Sequence, residues 1–348
     1  MNEARHTIVL VSLVLYMGAC MGIGIWAMLR TKSPGDFFMA GRDLGILLTA
    51  FAIFSSTMSG FGFVGGPGLV YRMGMSSVWM PISSSLGFCL SFYLLSKRLR
   101  MLAELRGNIS LPDAVAARYR SELTRGLTAV AIILGVLGYL GTQILAMATV
   151  LNDVLAANPS TPTLSLETCL AISTAVLVFY CVTGGIIAGV YTDMFQGAVM
   201  VVAAALVFAT ASAVVDGGIS GAMETIMIDD PEAAGPWGPL GMLGCLSWYF
   251  LFGLGATGQP HVITKIMMNR RIADARHILP LAIFAYSVAA LLWIGIGLVM
   301  RALVLQGAHP ELARPDDAAA QFLQYYAHPL LAGVVLAGLF AAIGIGVS

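Results

Sequence analysis

Charge is scarce in this sequence. Only 10% of its 348 residues are Asp, Glu, Lys or Arg, where an ordinary soluble domain carries about 25%. With 58% hydrophobic residues, there is too little polar surface to clothe a water-soluble fold of this size. The 18 basic and 18 acidic residues cancel, and no basic stretch interleaved with aromatics stands out, which argues against nucleic acid as a partner. Cysteine is scarce too. Cys20, Cys89, Cys169, Cys181 and Cys245 fall singly in apolar runs and read as inert core residues, not as disulfides or metal ligands. The sequence shows no metal-ligand cluster, phosphate-cradling loop or nucleophile triad, so enzymatic chemistry is not expected.

What is present is apolar length. Several runs reach the roughly 20 residues that cross a bilayer as a helix, whereas barrel strands are about 10 residues of alternating polarity. The chain therefore reads as one integrated, all-α, polytopic membrane domain over residues 1–348. Nine spans are expected, at 7–29, 44–71, 76–96, 126–155, 164–187, 192–215, 240–258, 278–305 and 329–347. The first run lacks a basic leading segment and a small-residue cleavage site, so it is taken as a retained helix.

Placing the N-terminus outside puts fourteen Lys and Arg residues, Arg100, Lys265 and Arg270 among them, in internal loops. Arg5, Arg72, Arg301 and Arg314 are then left outside. Basic residues concentrate on the cytoplasmic side, so this is the expected orientation. The acidic segment with Glu224, Asp229, Asp230 and Glu232 falls outside with it. Residues 97–125 read as the longest internal loop. A short surface helix is expected within it from Ser110-Leu-Pro-Asp113, with Pro112 in the first turn.

Two spans should not run as smooth helices. Residues 51–70, FAIFSSTMSGFGFVGGPGLV, combine four hydroxyl side chains with Gly60, Gly62, Gly65, Gly66, Pro67 and Gly68. Glycine costs about 1 kcal/mol against alanine in a helix interior and proline about 3. Broken backbone at membrane depth survives only where protein or a polar cavity satisfies it, and such breaks are where small-molecule transporters bind ions and substrate. Residues 240–258 form the second such span, with Gly253, Gly255 and Gly258 before Gln259-Pro260-His261. The two lie five spans apart, an odd offset that gives opposite orientations, as in an inverted repeat. Close helix packing is the other use of membrane glycine, and both readings stand here.

Asp193 is the acidic residue of most interest, at the start of the 192–215 span. Intramembrane carboxylates are expensive and functional by default. The competing reading is a helix N-cap at Thr192 or Asp193, and the two are compatible. The hydroxyls of Ser55, Ser56, Thr57 and Ser59, with carbonyls freed by the break, offer uncharged oxygen ligands suited to a hard cation. The same hydroxyls commonly bond their own backbone. Tyr139 and Gln143, at i and i+4, share a helix face turned to a solute or to a neighbouring helix. His261 is available either to titrate near neutrality or to satisfy backbone at the second break.

Three segments together resemble the sodium:solute symporter family. They are Ser55-Ser-Thr-Met-Ser-Gly60 leading to Gly65-Gly-Pro-Gly68; Thr183-Gly-Gly185 followed by Tyr191-Thr-Asp-Met-Phe-Gln196; and Gly253-Leu-Gly255 leading to Gly258-Gln-Pro-His261. The resemblance implies a LeuT-type inverted-repeat fold. An extra N-terminal helix (1–30) would precede a first five-helix repeat (44–215) and a partial second repeat (240–348). It implies sodium-coupled uptake of a small organic solute by alternating access in the cell (inner) membrane. Sodium would be the coupling ion, with no other cofactor. Carried over residue by residue, the sodium site falls on backbone carbonyls near Ser55 and Met58, with Asp193 along the ion path. The substrate region falls on Thr57, Ser59, Gly60, Tyr139, Gln143, Phe252, Ala256, Gln259 and Pro260.

The chain departs from the pattern in three places. Proline carriers have an aspartate where this chain has Thr57, and Trp and Tyr where it has Phe252 and Ala256. The family continues past Gly333-Val-Val-Leu-Ala-Gly-Leu-Phe-Ala-Ala-Ile343 with a methionine-serine-threonine segment whose hydroxyls complete the sodium site, where this sequence reads Gly-Ile-Gly-Val-Ser348. Three of the second repeat's five helices are therefore expected. A membrane sensor module built on the same fold, or a non-transporting fragment, are the alternative readings.

Overall fold

The computed structural model of the chain describes residues 3–30, 39–40, 43–58, 60–156 and 164–345. Among them every regular element is helical, and the one strand-like contact is an isolated bridge between Leu44 and Asn269. In chain order the helices are α1 (Glu3–Arg30), α2 (Ile46–Thr57), α3 (Gly60–Phe63), α4 (Gly65–Met73), α5 (Trp79–Leu90), α6 (Lys97–Arg106), α7 (Leu111–Tyr119), α8 (Glu122–Ala156) and α9 (Leu166–Val214). They continue with α10 (Gly218–Asp229), α11 (Pro231–Ala234), α12 (Gly241–Trp248), α13 (Gly255–Thr257), α14 (Pro260–Met267), α15 (Ala275–Leu305), α16 (Asp317–Tyr325) and α17 (Pro329–Ile345). π-Helical stretches, Ser91–Ser96 and Tyr249–Leu254, join α5 to α6 and α12 to α13.

Six helical runs among the described residues are long and apolar enough to cross a bilayer. The nine expected spans outnumber them for a local reason in each case. The 44–71 span is divided among α2, α3 and α4. The 164–187 span contributes a shorter apolar piece, Leu166–Ala175, and α17 has 17 residues.

Two expectations are corrected. Residues 97–125 are not a solvated loop, because α6 carries the preceding helix on to Arg106 and only Gly107, with φ +65°, ends it. The short helix inside that segment does form as α7, where the Ser110 side chain accepts from the Asp113 N–H and Pro112 lies in the first turn. The 164–187 and 192–215 spans are likewise not parted by a loop just before Asp193. The chain turns earlier, at Gly185, whose φ of 56° and ψ of −173° belong to a region open essentially to glycine alone. Asp193 therefore sits well inside a helix and is not its N-cap.

The packing centre is α15. Of its most apolar stretch 67% is buried inside the protein, against 11% for Glu122–Thr149 of α8, so the first is core and the second faces outward. Around α15 lie α9, α4, α2 and α10, while α1 lies against α17 and α9. Lipid is as apolar as leucine, so these helices associate through close backbone approach rather than through a hydrophobic drive. The glycines serve that approach. A Cβ on Gly297 would come 2.4 Å from the Val70 Cβ, and one on Gly66 would come 2.6 Å from the Trp293 ring. Much of the glycine in 60–70 is thus packing glycine, and α4 runs through Gly65–Gly68 with Pro67 in its first turn. The helix leaves its geometry at Met58 and is interrupted again at Val64, between α3 and α4.

Outside this bundle, Asp230 caps α11 by accepting from the Ala233 N–H and receives Arg301 Nη2 at 2.8 Å. The Arg301 hydrogen bond, helped by the Ala233 N–H, holds the Asp230 carboxyl below the usual carboxylate range. A depressed folded value means that this contribution is complete above the unfolded pKa of about 3.9 and is lost as pH falls through the folded value. Arg301→Gln should therefore lower the Tm in detergent at neutral pH, with the difference from the parent closing in acid. In the bundle, Gly297→Val should destabilise by about 1–3 kcal/mol through overpacking and visibly lower the Tm. Gly135→Ala, where a Cβ meets nothing within 4 Å, should leave the Tm unchanged or raise it.

Candidate ion and substrate site

Both breaks leave carbonyls without helical donors, and the structure shows where those groups go. At the first break α2 ends at Thr57, and Met58 (φ −85°, ψ 62°) leaves the helix while its N–H still reaches Phe54 O. The Ser56 carbonyl accepts from the Tyr139 hydroxyl at 3.4 Å. The Thr57 hydroxyl turns back on its own helix, 2.9 Å from Ile53 O and 2.8 Å from Phe54 O. Ser55 Oγ is buried and has no hydrogen-bond partner among the described residues. It is an uncommitted oxygen beside a helix end, the donor type that suits a hard monovalent cation.

At the second break Gly258 and Gln259 leave helical geometry and Pro260 starts α14. The carbonyls of Ala256 and Thr257 accept from Ser91 Oγ at 3.4 and 2.9 Å. The Gln259 carbonyl takes the N–H groups of Val262 and Ile263, both at 3.1 Å. Its side-chain Oε1 is buried without a partner among the described residues, and so is His261 Nε2. The His261 ring lies against Tyr139 with centroids 5.8 Å apart and planes 17° from parallel.

Between the breaks lies a residue that the sequence reading put in a loop. Lys265 is 1% exposed, carried inward because Pro260 begins a helix on which His261 and Lys265, four apart, share a face. Its Nζ donates to Asp193 Oδ2 at 2.5 Å, to Ala52 O at 3.2 Å and to Ser56 Oγ. Ser56 Oγ lies 2.8 Å from Ala52 O and 3.3 Å from Asp193 Oδ2. Moving each such ion into a dry interior costs several kcal/mol even after relaxation. The arrangement is tolerable because three ammonium hydrogens meet three oxygen acceptors. Asp193 thus belongs to a buried cluster with α2 and α14, and the cap reading falls. Arg100, also assigned to a loop, is 6% exposed and donates its Nε to Asn269 O at 2.6 Å.

The structure brings together Asp193, the α2 end with Ser55 and Met58, and Tyr139, next to His261 and Gln259. Gln143 is buried one turn from Tyr139. Phe252 and Ala256 are directed elsewhere: Phe252 meets Trp248 edge-on with centroids 5.7 Å apart, and a Cβ on Gly87 of α5 would come 2.6 Å from Ala256 Cβ. Gly60 restarts the helix as α3, Pro260 opens α14, and Ser59 lies outside the described residues. The start of α2 is tied to the end of α14. Leu44 N–H donates to Met268 O at 3.3 Å, Arg270 N–H to Leu44 O at 3.0 Å, and Arg270 Nε to Asp43 at 2.5 Å.

An all-helical membrane bundle with two breaks facing a buried carboxylate defines an ion-coupled carrier. The chain belongs to the sodium:solute symporter family, whose model matches residues 37–346, and its function is sodium-coupled solute uptake. It is 28% identical to the osmoregulated proline transporter OpuE of Bacillus subtilis, over 96% of this chain and 67% of that protein. It is 29% identical to the sodium/proline symporters of Salmonella typhimurium and Escherichia coli, over 98% of this chain and 67% of each of those. Among solved structures, a Na+-coupled sialic acid symporter in a substrate-bound outward-open state superposes with a TM-score of 0.77 at 19% identity. That match covers 98% of this chain and 70% of the other. The fold is the LeuT type that the resemblance implied.

Ser91→Ala removes the hydroxyl donor to the Thr257 carbonyl, while the Ala256 carbonyl keeps the Gln259 N–H at 3.5 Å. An unsatisfied buried acceptor costs about 1–3 kcal/mol, so this variant should unfold at a lower temperature in detergent. Ser85→Ala, whose hydroxyl only bonds back to Pro81 O, should be near neutral.

Proposed function

We propose that sodium is held at the Met58 end of α2, by carbonyls near Ser55 and Met58 with Asp193 on its path. The solute, in this reading, lies between the two breaks, near Tyr139, Gln143, Gln259 and Pro260. The observation that carries this is the buried, uncommitted Ser55 Oγ at the end of α2, beside the Ser56–Asp193 contact. Gln259 Oε1 and His261 Nε2, both buried without partners among the described residues, supply hydrogen-bonding atoms that a polar solute would satisfy. Sodium counts here as a transported ion, and we read the chain as a carrier and not an enzyme.

The repeat arrangement of 44–215 and 240–348 has support in the pairing of Leu44 with Asn269. The start of α2 lies beside the end of α14, so the two broken helices run in opposite directions, as inverted repeats require. An external N-terminus in the cell membrane is supported by the distribution of basic residues. That asymmetry persists after Arg100 and Lys265 are removed from the loops.

The solute class is a small amino acid or organic acid. Proline is the first compound to try, because the similar proteins named above are proline transporters. Thr57, which stands where the resemblance places an aspartate in proline carriers, points toward a changed affinity for it. The test is uptake of radiolabelled solutes into proteoliposomes under a sodium gradient. Uptake should require sodium and not potassium, and Asp193→Ala should reduce it at least about tenfold, which is 1.4 kcal/mol of coupling. Equal uptake on a potassium gradient, or full sodium dependence in Asp193→Ala, would sink the assignment.

A further inference from the structure

The ammonium of Lys265 occupies a position in which a metal cation would be expected. Its three acceptors are a carboxylate oxygen of α9, a hydroxyl of α2 and a backbone carbonyl of α2, an oxygen set that also suits a hard monovalent ion. It comes from α14, the half-helix that begins at the second break. One side chain therefore ties together α2, α9 and α14 at the Asp193 carboxylate.

We propose that Lys265 is a tethered cation that holds Asp193 until sodium replaces it, so that sodium binding releases α14 from α2. This rests on the reading of Asp193 as part of the sodium path. The argument is one of charge. Asp193 carries one negative charge, neutralised by one ammonium at 2.5 Å, and both groups are sealed from water at 2% and 1% side-chain exposure. Two positive charges on one carboxylate in such surroundings repel strongly. Sodium reaches Asp193 only as the ammonium leaves, and the flexible lysine stem permits that movement. The exchange leaves the local charge unchanged: one cation bound, one released. No covalent bond changes and no proton moves.

The consequence is a route for coupling. Gln259 and His261 lie at the start of the same half-helix, so loosening Lys265 alters the element that carries the solute-facing atoms. Ion and solute then bias one conformational equilibrium, which is what thermodynamic coupling demands.

The test is thermal unfolding of the purified full chain in NaCl and in equimolar choline chloride, with sodium titrated. The parent, Lys265→Gln, Lys265→Arg and the double variant Lys265→Gln/Asp193→Asn are compared. In Lys265→Gln the carboxylate lacks its cation. This variant should melt well below the parent in choline and recover in sodium, with a larger sodium-dependent Tm shift and a half-saturating sodium concentration at least tenfold lower. Lys265→Arg should resemble the parent. The double variant should fold in both salts and lose the sodium shift.

A Lys265→Gln shift no larger than the parent's would overturn the proposal while leaving the ion site standing, provided the double variant loses the shift. Lys265→Gln unfolded in both salts, with the double variant folded in both, would equally show that sodium does not replace the ammonium. A parent shift that survives unchanged in the double variant would remove the ion-site reading, and this proposal with it.

Discussion

A helix that stops inside a membrane must find a partner for every backbone group it frees, and this molecule is arranged around that requirement. In hydrocarbon no water is available to do the work. At the second break Ser91 on the neighbouring π-helical stretch reaches both the Ala256 and Thr257 carbonyls, and the Gln259 N–H also reaches Ala256 O. At the first break the answer is incomplete. Tyr139 takes the Ser56 carbonyl, while Ser55 Oγ has no hydrogen-bond partner among the described residues. Function enters where satisfaction is left unfinished, because an ion or solute can complete there what the protein does not.

The cluster of Lys265, Asp193 and Ser56 follows the same logic with full charges. A buried pair of this kind is weak evidence for stability, since well-packed apolar residues often do as well or better. Its retention in a dry core makes more sense as a device that can be opened. The rigid surroundings make such opening discrete. With α15 clasped against α4 at Gly297 and Gly66, neither glycine has room for a larger side chain.

Much of this was legible in the residues themselves. Lipid imposes a length on apolar runs, so the membrane class and most helices could be read directly, and the glycines flanking Met58 and Gln259 marked both breaks. What the pattern could not supply was partner identity. Gly66 reads as part of the first break until Trp293 is seen against it. Asp193 resembled a cap because Gly185, not the residues beside it, turns the chain. Lys265 looked like one more loop charge among Arg270 and Arg271. Its partners stand 72 and 209 positions away, beyond any local pattern, although Pro260 opening a helix and the four-residue step from His261 were hints of its inward face.

The tie between the beginning of α2 and the end of α14 has a property of its own. Two of its hydrogen bonds, Leu44 N–H to Met268 O and Arg270 N–H to Leu44 O, join main chain to main chain. A link of that kind does not depend on which side chains stand at its edges, so the register between the two broken helices is set by backbone and survives changes in the residues beside it.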